Sequence, residues 1–153
     1  MEENRYYPKY FELYELLPPM FFSYEDMVQK EKHLQHGWEL IDNRLLITID
    51  IVREIIGHPL ICNTWFQDGK RENCGYRAKN SPVGAYFSQH KEGKAVDLIC
   101  PNMSAEDMRQ KIIANKDKLP YPIRMEDGVT WLHIDVKDMN YKGQKIYLFK
   151  AKQ

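Results

Sequence analysis

The stretch "SQHKEGKAVDLI", from Ser88 to Ile99, sets a polar segment directly against a short apolar run. Side chains alternate between the two faces of a β-strand, so Asp97 lies on the face opposite Val96 and Leu98. A carboxylate inside an apolar run, seven residues after His90, needs a partner for its charge. The stretch therefore predicts a turn followed by a half-buried strand, with chemistry on the polar face of that strand.

A second strand with the same character is predicted from "VTWLHIDV", residues 129–136. Its apolar face consists of Leu132, Ile134 and Val136, and its other face of Trp131, His133 and Asp135. If the two strands are neighbours in one sheet, His133 and Asp97 converge on one cleft. A turn at Gly93 would bring His90 into the same cleft.

Two helices are predicted from apolar spacing and from their end signals. Apolar residues recur at intervals of three and four over 38–56, and Gly57 with Pro59 ends this helix. A second helix is predicted over 104–119. There, Ser104 followed three residues later by an aspartate is a variant of the capping box.

The remaining segments predict the fold class. Strands are predicted at 60–65, at 94–100 and in three runs joined by turn residues, 121–127, 129–136 and 145–152. A long surface loop separates the first two strands. This order predicts a single α+β domain with a small, mostly antiparallel sheet flanked by helices, in which the last three runs form a β-meander.

The N-terminal part differs from the rest in composition. Residues 6–22 are crowded with Tyr, Phe, Leu and Pro, and the prolines at 18 and 19 end any helix that begins near residue 9. We therefore divide the chain into an N-terminal helical and apolar arm, 1–37, and a main domain, 38–153.

The composition of the chain limits the classes of partner that it can bind. The 153 residues include 22 basic and 22 acidic side chains, so no net field favours nucleic acid, and no nucleic-acid partner is expected. No apolar run approaches the length of about 18 residues that a membrane span needs, so membrane insertion is not expected. The start of the sequence lacks the basic and apolar regions of a signal peptide, so we expect synthesis in the cytoplasm.

The donor set His90, Asp97 and His133 is of the kind that catalytic zinc uses, three protein ligands with an open fourth position. The three cysteines, Cys62, Cys74 and Cys100, have no structural-zinc spacing and form no disulfide framework. On spacing alone, a single histidine on a strand is more often an ordinary polar side chain than a ligand.

The motif Ser-x-His-x-x-Gly-x-Ala-x-Asp at 88–97, followed by Trp-x-His-x-Asp at 131–135, resembles the zinc D-Ala-D-Ala carboxypeptidases, peptidase family M15. This family shares its fold with hedgehog signalling domains and some phage endolysins. "CGYR" at 74–77 is similar to the family's Gly-Tyr-Arg segment, and "SAEDMRQKI" at 104–112 to its intervening helix. The resemblance covers 38–150 and is nearest to the short M15-like proteins of phages and prophages.

The resemblance implies a zinc ion held by His90, Asp97 and His133. It also implies that Arg77 grips a carboxylate of the substrate, with a solvated loop residue as the alternative. Ser88 and Gln89 would orient the substrate or a water molecule, or would simply form a polar turn.

The catalytic base departs from the family pattern. Where many members have a Glu or Asp three residues before the last histidine ligand, this chain has Thr130, and where others have a second histidine it has Trp131. We favour Glu126 or Asp127 as the base, the alternative being that "MEDG" is an ordinary hairpin turn. Asp135 is expected to support a ligand or to cap its strand.

The function implied by the resemblance is hydrolysis of peptidoglycan stem peptides by metal-activated water, as a D,D-carboxypeptidase or an endopeptidase. The alternative is a phage or prophage binding or structural protein that has lost catalysis, with a structural partner in the virion. A monomer is expected, acting at the cell wall after lysis or as part of a virion.

Overall fold

The computed structural model describes residues 4–22 and 36–151. The α-helices are α1 (Leu13–Leu16), α2 (Asn43–Ile56) and α3 (Ala105–Ala114). The strands are β1 (Ala95–Leu98), β2 (Ile123–Glu126), β3 (Leu132–Asp135) and β4 (Ile146–Phe149). Short 3-10 turns lie at Pro19–Phe21, Trp65–Gln67, Gln89–Glu92 and Lys116–Lys118.

The four strands form one sheet in the order β1-β3-β2-β4. β3 pairs antiparallel with both β1 and β2, and β2 pairs parallel with β4. The predicted α+β fold with a mostly antiparallel sheet is confirmed. The predicted meander is wrong for the last strand, because both sides of β3 are already occupied and the chain crosses to the free side of β2 instead.

The predicted strand at 60–65 is reduced to a single bridge between Ile61 and Ile99. The backbone that follows is held by other segments: the Asn63 amide donates to the Glu15 carbonyl, and the Arg71 side chain donates to the carbonyl of Cys62. Because these backbone groups are already hydrogen-bonded, they do not pair with a neighbouring strand.

Both long helices begin with a capping side chain, but their lengths differ from the prediction. The predicted helix is interrupted near its start: residues 36–39 are helical and 40–42 are not. α2 begins at Asn43, because Asp42 adopts an extended backbone and its carboxylate accepts from the Arg44 amide. It ends at Gly57 as predicted, with φ of 77°. The Ser104 hydroxyl caps α3, and the helix stops at Ala114, five residues before the predicted end.

The core lies between the helices and one face of the sheet. α2 packs on α3, and α3 packs against β3. The arm contributes to the same core, to which its residues Phe11, Leu13, Leu16 and Leu17 belong. The rest of the predicted arm, at 23–35, lies outside the described residues. In the part of the chain that is described, no helix combines the length and apolarity needed to cross a membrane.

Candidate metal centre

The register of β1 and β3 brings two of the predicted ligands together, because Asp97 is the direct partner of His133. Asp97 Oδ1 lies 2.9 Å from His133 Nδ1 and 3.3 Å from His90 Nε2. One ligand atom from each of the three residues lies within 4.8 Å of the others, and within the described residues this is the only such group of His, Cys, Asp or Glu. The convergence expected from strand alternation is therefore present.

His90 reaches the cluster from the 3-10 turn before β1. The Ser88 hydroxyl accepts from the His90 amide at the start of the turn, and Gly93 ends it with φ of 70°. A Cβ on Gly93 would lie 2.0 Å from the Leu40 carbonyl oxygen, so the bend requires glycine. Gln89 is half-buried in the same turn, and its carbonyl accepts from the Lys94 amide.

The orientation of the His90 ring is set by a backbone carbonyl. His90 Nδ1 lies 2.9 Å from the Gly75 oxygen, and since a carbonyl only accepts, Nδ1 carries the proton. This leaves Nε2 directed at Asp97 and available to a cation. Gly75 itself lies against the arm, where an added Cβ would be 2.2 Å from the Leu16 oxygen.

The His133 ring is held from its other nitrogen by a buried carboxylate. His133 Nε2 donates to Asp135 Oδ2 at 2.7 Å, and Asp135 is wholly buried. Arg124 grips Asp135 with two hydrogen bonds of 2.8 Å each. In the neutral tautomer that keeps the proton on Nε2, the lone pair of Nδ1 faces Asp97 and the cluster. Histidine ligands of metals are commonly supported by a carboxylate in this way.

The charges of the cluster are coupled. Burial by itself would lower the pKa of His133, but its hydrogen bonds to Asp135 and Asp97 outweigh burial and raise the pKa to about 9. Burial would raise the pKa of Asp97, and the bonds to His133 and His90 instead hold it well below its usual range. Without a metal, His133 thus carries a proton on each ring nitrogen below about pH 9, one directed at Asp97 and one at Asp135.

The donor set fits zinc. Two imidazole nitrogens and one carboxylate oxygen are ligands that zinc accepts, and both histidines have their other nitrogen fixed by an acceptor. The residues present therefore meet the ligand requirements of a three-ligand metal site.

Arg77 lies beside the cluster. Its Nη2 is 3.5 Å from Asp97 Oδ2, and its Nε donates to the Asn73 carbonyl at 2.7 Å. The side chain is only 13% exposed, which differs from the solvated loop residue of the alternative interpretation. A guanidinium in this position is placed to meet an anionic group that approaches the cluster.

The two candidate bases take different positions, and neither belongs to the three-residue cluster. Asp127 Oδ1 accepts from the Gly128 amide and lies 4.0 Å from Arg109 Nε, a residue of α3. Glu126 is half-buried at the end of β2 and shares a face with Arg124 by alternation. Glu126 is therefore on the face of the sheet that carries the cluster, whereas Asp127 is drawn towards the helix.

Two residues of the site were not predicted. Arg124 holds Asp135, and its Cζ lies 4.0 Å from the ring centroid of Phe149. The Phe149 ring also packs edge-on against His133, with centroids 5.5 Å apart. Alternation within 123–126 would have placed Arg124 on the polar face, but nothing local indicates that β4 lies beside β2.

Comparisons with known proteins add no assignment. No protein-family model, curated protein or solved structure matches this chain. The resemblance to peptidase family M15 and the roles that it implies stay predictions.

Proposed function

We propose that the protein is a zinc-dependent peptidase that hydrolyses peptidoglycan stem peptides, as a D,D-carboxypeptidase or a related endopeptidase. The supporting observation is the convergence of His90, Asp97 and His133 within 4.8 Å, with the outer nitrogen of each ring held by an acceptor. A zinc ion bound there supplies Lewis acidity and a water molecule of lowered pKa.

The side chains around the cluster have separate tasks in this proposal. Arg77, 3.5 Å from Asp97, binds a carboxylate of the peptide and orients it. Glu126 takes a proton from the attacking water and returns it to the departing amine. It is favoured over Asp127 because it shares the face of Arg124 and the cluster, while Asp127 lies beside Arg109. Asp135 and Arg124 keep His133 in the tautomer that frees Nδ1.

A second candidate function is a binding or structural protein of a phage or prophage that retains the fold, with or without the metal, and has lost the base. It is favoured by the position of the candidate bases, since the carboxylates of Glu126 and Asp127 are not part of the cluster. Thr130 and Trp131, which occupy the family's usual positions for a base, are exposed. In either case, action at the cell wall after lysis or within a virion is part of the proposal.

The test is hydrolysis of isolated peptidoglycan and of purified muropeptides by the zinc-loaded protein, with products identified by mass spectrometry. Wild type is expected to release D-alanine or stem peptides, and His90→Ala and Asp97→Ala to release none. His58→Ala is the matched control, because His58 lies in the turn after α2 and outside the cluster. A wild-type protein that carries about one equivalent of zinc and releases nothing would exclude the peptidase and favour the second candidate.

A further inference from the structure

Two aromatic rings project into solvent from the loop at 78–88. Phe87 is 79% exposed and Tyr86 65% exposed, and the rings meet edge to face with centroids 4.9 Å apart. Large apolar side chains grouped on a surface often mark a binding site. The pair is therefore a candidate contact surface.

The loop that carries these rings is held from beneath by a lysine. Lys91 is only 4% exposed, and its Nζ donates to the carbonyls of Ser81 at 2.9 Å and Gly84 at 3.4 Å. Lys79, on the same loop, pairs with Glu92. A lysine buried beneath two exposed aromatic rings reverses the usual distribution of these residues. The fold thus holds the rings outward.

The chain on either side of the rings is uncharged. The segment "NSPVGAYFSQ", 80–89, has no charged side chain, although charged residues make up 29% of the chain. It offers uncharged hydrogen-bonding groups instead, from Asn80, Ser81, Ser88 and Gln89. The cations that border the segment are already paired, Lys79 with Glu92 and Arg77 with Asp97, which leaves little positive charge for a polyanion. Flat rings beside neutral hydroxyl and amide groups match a carbohydrate, whose pyranose rings have an apolar C–H face and a rim of hydroxyls.

The loop adjoins the metal cluster. Gly84 packs so closely on Arg77 that an added Cβ would lie 2.7 Å from Arg77 Nη1, and Arg77 in turn reaches Asp97. Phe87 directly precedes Ser88, whose hydroxyl caps the turn that carries His90. The loop that carries the rings therefore borders the cluster at Arg77 and at the turn of His90.

We propose that Tyr86 and Phe87 form a carbohydrate-binding surface that holds the N-acetylhexosamine part of the substrate while its peptide lies at the cluster. This proposal rests on the proposed peptidase function and names a further part of its substrate. The rings stack on the sugar, and the neutral side chains of the loop bond its hydroxyl and acetamido groups.

Binding is tested without catalysis, by titrating an N-acetylglucosamine oligomer into the full chain in a calorimeter. Wild type is expected to bind, and Tyr86→Ala and Phe87→Ala each to weaken binding by about fivefold, the value of one aromatic contact. Tyr10→Ala is the control, because it removes a ring that is 42% exposed on the N-terminal arm, beside Arg53 of α2. Absence of binding by wild type, or equal binding by Phe87→Ala, overturns the proposal.

Removing the metal with a chelator tests whether the sugar binds at the rings or at the cluster. Treatment that removes metal is expected to leave the affinity for the oligomer unchanged, since the rings are not ligands. Loss of binding on metal removal would place the sugar at the cluster and overturn the proposal.

Kinetics with two substrates distinguish the proposed sugar contact from the proposed peptidase activity. Phe87→Ala is expected to raise KM about fivefold for a disaccharide-linked stem peptide and to leave the free peptide unaffected. An equal effect on both substrates contradicts a sugar contact. If wild type cleaves neither substrate, the peptidase function fails, while the calorimetric result still decides whether the rings bind sugar.

Discussion

His133 Nε2 donates a 2.7 Å hydrogen bond to the buried carboxylate of Asp135, two residues along the same strand. Residues i and i+2 share a face of a strand, so both side chains rise from the polar face of β3. Arg124 from β2 holds the other end of this chain of hydrogen bonds. The ring of a candidate ligand is thus held in place by a residue from its own strand and one from the next.

Replacing Asp135 with asparagine is expected to weaken zinc binding by about 10- to 100-fold, the usual cost of losing a carboxylate behind a histidine ligand. Asparagine removes the charge that holds His133 and leaves Arg124 without its partner. Competition with a chromophoric chelator measures the affinity. Asp138→Asn, an exposed acid three residues further on, is the control and should bind as wild type. Unchanged affinity in Asp135→Asn would mean that the carboxylate does not support the ligand.

Replacing Gly93 with alanine is expected to lower the free energy of unfolding by more than about 3 kcal/mol, because left-handed strain and overlap with Leu40 add. Gly143→Ala is matched to it: φ is 77° there, and nothing lies within 4 Å of the added Cβ. This control should lose only about 1 kcal/mol. Urea unfolding measures both. Equal losses would show that the approach to Leu40 is unimportant.

The metal-free protein is expected to lose stability as pH rises from 6.5 to about 9. The pKa of His133 is raised from 6.5 to about 9 by its two carboxylate partners, so protonated His133 stabilises the fold fully below 6.5. This contribution disappears as the imidazolium deprotonates near pH 9. Urea unfolding at a series of pH values in the presence of a chelator measures this stability. NMR titration of the His133 imidazole measures its pKa. A stability that is flat over this interval, or an imidazole that titrates near 6.5, would contradict the coupling.

Metal binding in the same interval is expected to release a proton, because the cation replaces the proton on His133. Calorimetric titration with zinc in buffers of different ionisation enthalpy counts the protons. His58→Ala is the control and should release the same number as wild type. A titration without proton release below pH 9 would show that His133 is neutral before the metal binds.

Glu126→Gln is expected to reduce kcat by at least about 100-fold while zinc is retained, if Glu126 is the base of the proposed peptidase. Asp127→Asn is the matched variant one residue away, and its side chain lies beside Arg109, so it should keep near-wild-type kcat. The reverse order of effects would assign the base to Asp127. If both variants are as active as wild type, neither Glu126 nor Asp127 is the base.

Local patterns account for much of the fold. Ser104 caps α3 and Gly57 ends α2, since both signals act through the backbone of the residues next to them. Local sequence patterns gave wrong predictions where contacts between residues far apart in the chain determine the structure. Residues 60–65 are β-compatible, but Glu15 and Arg71 bind their backbone groups and leave a single bridge.

By itself, the sequence determined which side chains share a face: Asp97 stands opposite Val96 and Leu98, and His133 and Asp135 point the same way, because the period of a strand is two residues. It also placed a turn at Gly93, which the structure shows to be left-handed. Only the tertiary structure decided that Asp97 pairs with His133, that Arg124 holds Asp135, and that β4 lies beside β2. The physical reason is that register and strand order depend on contacts between residues far apart in the chain, which no local preference encodes.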